Sequence, residues 1–494
     1  YNPLRESGKR NAMRRMRIVL GKMYELGMIT TEEYDNALNT ELVFKTSTNT
    51  SASTINSYFV EYAVSEVISD LQTERNISRS LAATTVYNRG YHIYTTMEPN
   101  VQSVMDEAYM TQDLFQTDAE ALEDYPEKPQ SGMVVINVQT GAIAGMQGGY
   151  GEKTVNLGTN RAVDAYRQPG SSIKPLIDYG PAIELRLITP SMIYDDKESF
   201  LDPSNPEKAW PKNSDGQFEG PITIRRAIAS SRNTVAVMVW NDIGAEMALW
   251  FLNQVGIDRL EEQYPSTAIG GFNIGMSPLQ MAAAYATFPN SGIYVEPYSY
   301  TKVVDSDNNI VLEHIVNSHR VYREDSAFLM CDMLKDVITS GTAAGKVQLI
   351  TNSAGENIAV AGKTGTTDDN IDKWFCGFTP YYAAAVWYGY DNRLRTTEIP
   401  KADRSNAIYI WNYVMQRIHT DCAAASFVKP DNIITREVCT FSGLLATDEC
   451  RAAGTTVTDY FIDGDYLTPQ DTCPFHVPTP TPEPTPEPLP ENPV

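Results

Sequence analysis

In the run RQPGSSIKPL, residues 167–176, a serine hydroxyl at 171 and a lysine amine at 174 stand three positions apart. On a helix that spacing sets both side chains on one face, about one turn apart. Pro169 and Gly170 precede them as a helix entry would. The pair suits nucleophilic acyl transfer, in which a neutral amine takes the hydroxyl proton as the oxygen attacks a carbonyl. Burial and neighbouring positive charge would have to hold Lys174 below its usual pKa. The plain alternative is a capped helix with a solvated lysine, since about two S-x-x-K matches arise by chance in a chain this long. Ser172, next door, has no lysine at the third position after it.

Two further groupings could complete such a site. Ser231-Arg232-Asn233, inside AIASSRNTVAV, offers a hydroxyl that can relay a proton and an amide that can both donate to and accept from a peptide. Ser and Asn also favour helix caps, which is the structural alternative there. Lys363-Thr364-Gly365-Thr366 follows a strand-like run, Ile358–Gly362. It supplies a positive charge, two hydroxyls for a carboxylate, and a glycine that would let a substrate backbone come close. A chance K-T-G is rarer, about 0.1 per chain of this size. The three follow one another in the order Ser-x-x-Lys, Ser-x-Asn, Lys-Thr-Gly, an order and chemistry associated with penicillin-reactive serine enzymes.

Other catalytic designs fit poorly. None of His92, His314, His319, His419 and His476 falls in H-E-x-x-H, and Ser171 is not in G-x-S-x-G. Gly362-Lys363-Thr364 resembles the end of a phosphate-binding loop, but Asn357 stands where that loop needs a glycine. No C-x-x-C pair exists among Cys331, Cys376, Cys422, Cys439, Cys450 and Cys473. No metal and no cofactor are therefore expected. Cys331 and Cys376 sit in apolar stretches and read as core. The other four lie close enough in sequence to permit disulfides in an exported protein, and a local loop could join Cys439 to Cys450.

The elements that must position these groups are legible in outline. Met133–Val138 and Ala142–Gln147 read as a β-hairpin turning at Gln139-Thr140-Gly141. Ile358–Gly362, Lys373–Thr379 and Tyr382–Tyr390 read as three more strands, with mostly helical pattern between. That distribution predicts one mixed sheet packed by helices. Nearer the start, residues 11–26 have helical spacing with Gly27 as a cap, Thr30 and Glu33 form a capping-box pattern, and residues 58–72 read as an amphipathic helix. Residues 477–494 hold eight prolines and predict an extended, disordered tail.

The chain has 494 residues, enough for two or three domains, and a net charge of −23. Such acidity argues against a nucleic-acid partner. Residues 1–23 nevertheless carry +6, leaving −29 on the rest. A basic end could meet an anionic membrane face or be a solvated helix face. No run of about 18 apolar residues is present to span a bilayer.

Beyond the three motifs, the chain resembles class A penicillin-binding proteins from its start to about residue 420. The segments that carry the resemblance are RGYHIYTTMEPNVQSVMDEAY (89–109), GMVVINVQTGAIAGMQGGY (132–150), NRAVDAYRQPGSSIKP (160–175), AIGGFNIGMSPLQMAAAYATFPNSGIY (268–294) and GKTGTTDDNIDKWFCGFTP (362–380). Residues 1–42 resemble the end of the glycosyltransferase domain of that family, whose active site would lie upstream, so glycan polymerisation is not expected of this chain. The organisation expected is a glycosyltransferase remnant over 1–45, a linker region over 46–129, a transpeptidase domain over 130–422, a Cys-containing extension over 423–476 and the Pro-rich tail.

The resemblance implies an α/β fold of the penicillin-binding-protein and serine β-lactamase type, a mainly antiparallel central sheet flanked by helices. It implies peptidoglycan DD-transpeptidation on the extracytoplasmic face of a bacterial membrane, with stem peptides as substrates, β-lactams as ligands and a membrane anchor upstream. Ser171 would be the acylated nucleophile and Lys174 its base. Ser231 and Lys363 would pass the proton to the leaving amine, and Asn233 would hold the substrate amide. Thr364 and Thr366 would bind the terminal carboxylate, and the backbone N–H groups of Ser171 and Thr366 would form the oxyanion hole. Arg232 stands where class A β-lactamases have Asp, and no E-x-x-L-N segment supplies a deacylating glutamate. Both favour a transpeptidase over a β-lactamase. A DD-carboxypeptidase, or a β-lactam sensor that binds without turnover, stays open.

Overall fold

The computed structural model describes residues 6–40, 55–115, 128–391 and 398–476. The chain divides into two compact units, one ending at Asn56 and one beginning at Ser57. The Pro-rich tail lies outside the described residues.

The first unit is a pair of helices, α1 (Glu6–Glu25) and α2 (Thr31–Asn39). Its capping box forms as the sequence predicts. The Glu33 N–H donates to Thr30 Oγ1 at 3.2 Å, and the Thr30 N–H donates to Glu33 Oε2 at 2.8 Å. No residue of α2 is buried, and Ile18, Val19 and Leu26 are exposed.

The second unit is built on a five-stranded antiparallel sheet. Its strands are β1 (Gln130–Asn137), β2 (Ile143–Gln147), β3 (Ala361–Thr366), β4 (Asp372–Phe378) and β5 (Tyr382–Gly389), in the spatial order β3-β4-β5-β1-β2. The hairpin and the last two strands fall where the sequence places them. The strand carrying the lysine motif does not. Residues 357–358 pair with 350–351 in a separate ribbon, and β3 begins three residues later, so Lys363 to Thr366 lie within the strand rather than after it. The cause is register: β3 pairs with β4 from Ala361↔Phe378 to Thr366↔Lys373.

The pleat assigns the faces. Phe375 packs against Trp411 with ring centroids 5.0 Å apart, and a Cβ on Gly377 would lie 2.7 Å from that indole. Odd positions of β4 therefore face helix α9 (Asn406–Ile418). Phe378 packs against Tyr285, so even positions face helix α7 (Pro278–Ala286). Directly opposed residues of an antiparallel pair share a face. Lys363, opposite Cys376, and Gly365, opposite Trp374, thus point to the α7 side, while Thr364 and Thr366 point to the other. Strand β1 is buried from Ser131 to Ile136, as expected of a central strand covered on both faces.

Residues 57–115, within the expected linker region, are folded and include the amphipathic helix that the sequence predicts. Helix α3 (Tyr58–Arg75) buries Val67, Ile68 and Leu71 in a second, smaller core with Tyr300, Val303 and Leu312. Residues 92–95 form a strand paired with 300–304. The remaining helices used below are α4 (Pro99–Met110), α5 (Ile224–Ser230), α6 (Asn233–Ile243) and α8 (Glu324–Thr339). Among the described residues no single helix is long and apolar enough to cross a membrane.

Candidate active site

Ser171 sits in a tight 3-10 turn, Gly170–Ile173. After Lys174 the chain widens to a π-turn over Pro175–Tyr179 and then closes to an α-helical turn over Gly180–Glu184. The expected single helix is thus three short helical forms end to end. Pro175 and Pro181, which have no N–H to give to a regular ladder, are part of the reason. From Pro169 to Ile183 every residue is buried except Ser171, which opens onto a cleft of about 670 Å³. Ser172 is turned inward. Its hydroxyl donates to the Pro169 carbonyl at 2.7 Å, and its own carbonyl accepts from Tyr285 at 2.5 Å.

Ser231 occupies the two-residue joint between α5 and α6. It caps α5 in the left-handed conformation, φ 60°, its N–H satisfying the carbonyls of Ala227 and Ile228. Arg232 holds this joint from behind through ion pairs with Glu219, Asp215 (2.9 Å) and Asp196 (3.5 Å). Its side chain is therefore an anchor and is absent from the cleft lining.

Two fully buried lysines converge on Ser231. Lys174 Nζ donates to Asn233 Oδ1 at 2.7 Å and to the Ser231 carbonyl at 2.9 Å, and lies 3.5 Å from Ser231 Oγ. Lys363 Nζ donates to Ser231 Oγ at 2.7 Å and to the Thr364 carbonyl at 3.3 Å. Burial pushes Lys174 down to about 7, and the Arg232 charge adds to this, against the pull of Asp178 and Asp196. Burial also pushes Lys363 well below the usual lysine range, with the Lys174 charge second. A neutral amine at 174 has two N–H groups and one lone pair. Asn233 and the Ser231 carbonyl take the two N–H groups, which leaves the lone pair for a hydroxyl proton. The Ser171–Lys174 hydrogen bond that the spacing suggests is not formed among the described residues. Catalytic hydrogen bonds often tighten only once substrate is bound.

Asn233 is half committed. Its Nδ2 donates to the Lys212 carbonyl at 2.7 Å and its Oδ1 accepts from Lys174, so one N–H and one lone pair remain for a ligand. Thr364 shares a hydrogen bond with Thr342 at 2.7 Å, and Thr366 accepts from Lys373 at 3.2 Å. Gly365 is also required by packing. A Cβ there would lie 2.3 Å from the Pro169 carbonyl oxygen and 2.8 Å from Trp374 Cβ. The bare backbone lets β3 close on the Ser171 turn, while Gly365 also lines the cleft. Trp374 fixes the same contact by donating to the Gln168 carbonyl at 2.9 Å.

Ser171, Ser231, Asn233, Thr364, Gly365 and Thr366 all line the one cleft, and Lys174 and Lys363 lie beneath it, tied to Ser231. Sequence reasoning missed four cations that also line it, Lys212, Lys346, Lys373 and Arg404. Burial lowers Lys373 to about 8, and the Arg404 and Lys346 charges reinforce this. Only Lys373 left a trace in the sequence, through its place opposite Thr366 once β3 and β4 are paired. Neither cluster of metal-type ligands among the described residues lies in this cleft.

Comparison with known proteins agrees with this arrangement. The family model "Penicillin binding protein transpeptidase domain" matches residues 131–407, and "Penicillin-binding protein 1A, C-terminal domain" matches 429–478. Penicillin-binding protein 1A of Clostridium perfringens is 32% identical, covering 96% of this chain and 59% of its own length. Penicillin-binding protein 1A/1B of Bacillus subtilis is 31% identical, covering 94% and 49%. The chain thus spans about half to six-tenths of these relatives. In fold it is similar to penicillin-binding protein 1A from Haemophilus influenzae, with TM-score 0.69 and 22% identity over 96% of this chain and 84% of that one. It is also similar to PonA1 of Mycobacterium tuberculosis in complex with penicillin V, with TM-score 0.57 and 20% identity over 75% and 96%. The match over more than half of the chain settles the family: this chain belongs to the penicillin-binding proteins and carries their transpeptidase domain.

Proposed function

We propose that this chain cross-links peptidoglycan by DD-transpeptidation through an acyl-enzyme on Ser171, acting outside the cytoplasm of a bacterial cell and open to acylation by β-lactams. The observation that carries the reading is the bridge at Ser231, whose hydroxyl lies between two buried, pKa-lowered lysines at the floor of the cleft that exposes Ser171. Neutral Lys174 takes the Ser171 proton as Oγ bonds to the carbonyl carbon of the penultimate D-Ala. The tetrahedral oxyanion is held by the N–H groups of Ser171 and Thr366. Its collapse breaks the peptide bond, and the proton passes from Lys174 through Ser231, with Lys363, to the departing D-Ala amine. An amine of a second stem peptide then attacks the ester, loses its proton by the same relay, and restores the Ser171 hydroxyl.

The substrate side of the cleft supports a peptide with a terminal carboxylate. β3 is an edge strand of the sheet, and its free edge can pair with an extended peptide. Lys346, Lys373 and Arg404 bring cationic groups near the hydroxyls of Thr364 and Thr366, on a lining that also holds Asp368 and Asp369. Asn233 offers its spare N–H to the substrate amide. A thioester analogue of the D-Ala donor, supplied with a D-amino acid acceptor, is expected to give the aminolysis product. Stable binding without either hydrolysis or transfer would favour a sensor, and hydrolysis alone a carboxypeptidase.

The lysine chemistry sets a pH dependence. The base works neutral, so acylation should rise as pH climbs through about 7, where Lys174 loses its proton, and level off above it. A rate that keeps climbing toward the ordinary lysine value of 10.5 would mean that Lys174 is not the base.

A further inference from the structure

Beyond the transpeptidase sheet lies a hairpin of β6 (Ile433–Cys439) and β7 (Thr456–Ile462), with the short helix α10 (Asp448–Ala452) between them. Cys439 ends β6, Cys450 sits in α10, and Cys473 and His476 follow β7. All six cysteines are free thiols, so the expected Cys439–Cys450 disulfide is not formed. Instead, three thiols surround one imidazole. The Sγ atoms of Cys439, Cys450 and Cys473 lie 3.5, 3.4 and 3.4 Å from His476 Nδ1. All four atoms fall within 4.8 Å of one another.

Those distances are the ones a metal would impose. A tetrahedral ion with bonds of about 2.3 Å to sulfur and about 2.0–2.1 Å to nitrogen sets S and N about 3.5 Å apart. Apolar packing gives no reason for three sulfurs to stand equally far from one nitrogen, and a disulfide would leave an odd thiol. The surroundings fit thiolates as well. The Thr447 hydroxyl donates to Cys450 Sγ at 3.3 Å, and the Thr455 hydroxyl lies 3.6 Å from Cys439 Sγ. Backbone N–H groups of Phe441 and Ser442 point at the Cys439 sulfur, and those of Phe475 and His476 at the Cys473 sulfur. Such outer donors orient ligands and hold their charge. Among the described residues the three cysteines form a small buried cluster of their own, with half-buried Ala446 packed against it. So small a cluster needs a staple.

We propose that Cys439, Cys450, Cys473 and His476 bind one Zn²⁺ as a closed, structural Cys₃His site. Three thiolates and an imidazole with no fifth ligand select zinc over oxygen-seeking cations and leave no open position for catalysis. Binding displaces the thiol protons and ties β6, α10 and the segment after β7 to one point, so the ion supplies folding energy to this module. The motif escaped sequence reading because its close pair is Cys473-Pro-Phe-His476, C-x-x-H rather than C-x-x-C.

The test is metal analysis of the full chain, purified without chelator and then equilibrated with Zn²⁺ alone. One zinc per chain is expected, with all six thiols titratable after denaturation in a chelator. Cobalt(II) in its place should give the thiolate-to-metal charge transfer of a tetrahedral sulfur site. Cys473→Ser and His476→Ala should weaken zinc binding by more than about 100-fold, the upper range for losing an outer-shell partner, while His476→Cys keeps the ion. Acylation by labelled penicillin in each variant shows that the transpeptidase domain is still folded. Substoichiometric zinc, a disulfide within the trio on non-reducing mass analysis, or unchanged affinity in Cys473→Ser would each overturn the site.

Discussion

Lys174→Ala is expected to slow acylation by a labelled penicillin by about 10²–10⁴-fold, the usual contribution of a positioned general base. The buried amine is the group whose lone pair is left over after Asn233 and the Ser231 carbonyl are served. Lys363 should not take its place. The Lys174 charge is one of the causes that hold Lys363 low, so deleting Lys174 makes Lys363 more basic and better protonated. Lys174→Arg should fail as well, because a guanidinium does not give up its proton. The check is the second-order acylation rate of each variant beside a melting curve that shows the fold intact. A Lys174→Ala rate within a few-fold of the parent would remove the lysine from the chemistry.

Gly170→Ala should be a highly damaging small substitution near the site. Gly170 has φ +52°, and a Cβ there would lie 2.3 Å from the Thr366 carbonyl oxygen. The methyl group would have to force the Ser171 turn away from β3, whose backbone cannot yield without breaking its pairing with β4. Left-handed backbone on a non-glycine residue and overpacking together predict a loss of about 2–4 kcal/mol. Acylation should fall too, because the same shift separates the N–H groups of Ser171 and Thr366. Thermal unfolding and acylation measured on one preparation decide it. Unchanged values in both would show that the turn and the strand are not held in register by this contact.

Much of the site was legible because its groups are encoded locally. The spacing of Ser171 and Lys174, the Ser231-to-Asn233 triplet and the lysine motif can each be read without a fold. The hairpin at Gln139–Gly141 and the strands after Lys373 were equally clear, since alternation and turn residues are local signals. What could not be read depends on tertiary register. The strand of the lysine motif begins at Ala361 because of its pairing with β4, which propensity does not show. Lys346 and Arg404 reach the cleft from segments far apart in sequence. The closeness of Gly365 to the Pro169 carbonyl likewise appears only once β3 packs on the Ser171 turn. Cys439, Cys450, Cys473 and His476 meet only after β6, α10 and β7 have folded.

The central claim is that Ser171 is the acylated residue, and peptide mass mapping after reaction with a labelled penicillin tests it most directly. Ser171 opens onto the cleft, whereas Ser172 is buried and bonded to the Pro169 carbonyl, so the two neighbours make a sharp internal control. The account predicts a stable ester on Ser171, none on Ser172 or Ser231, and no label at all in Ser171→Ala. An adduct on Ser172 or Ser231, or full labelling of Ser171→Ala, would contradict it.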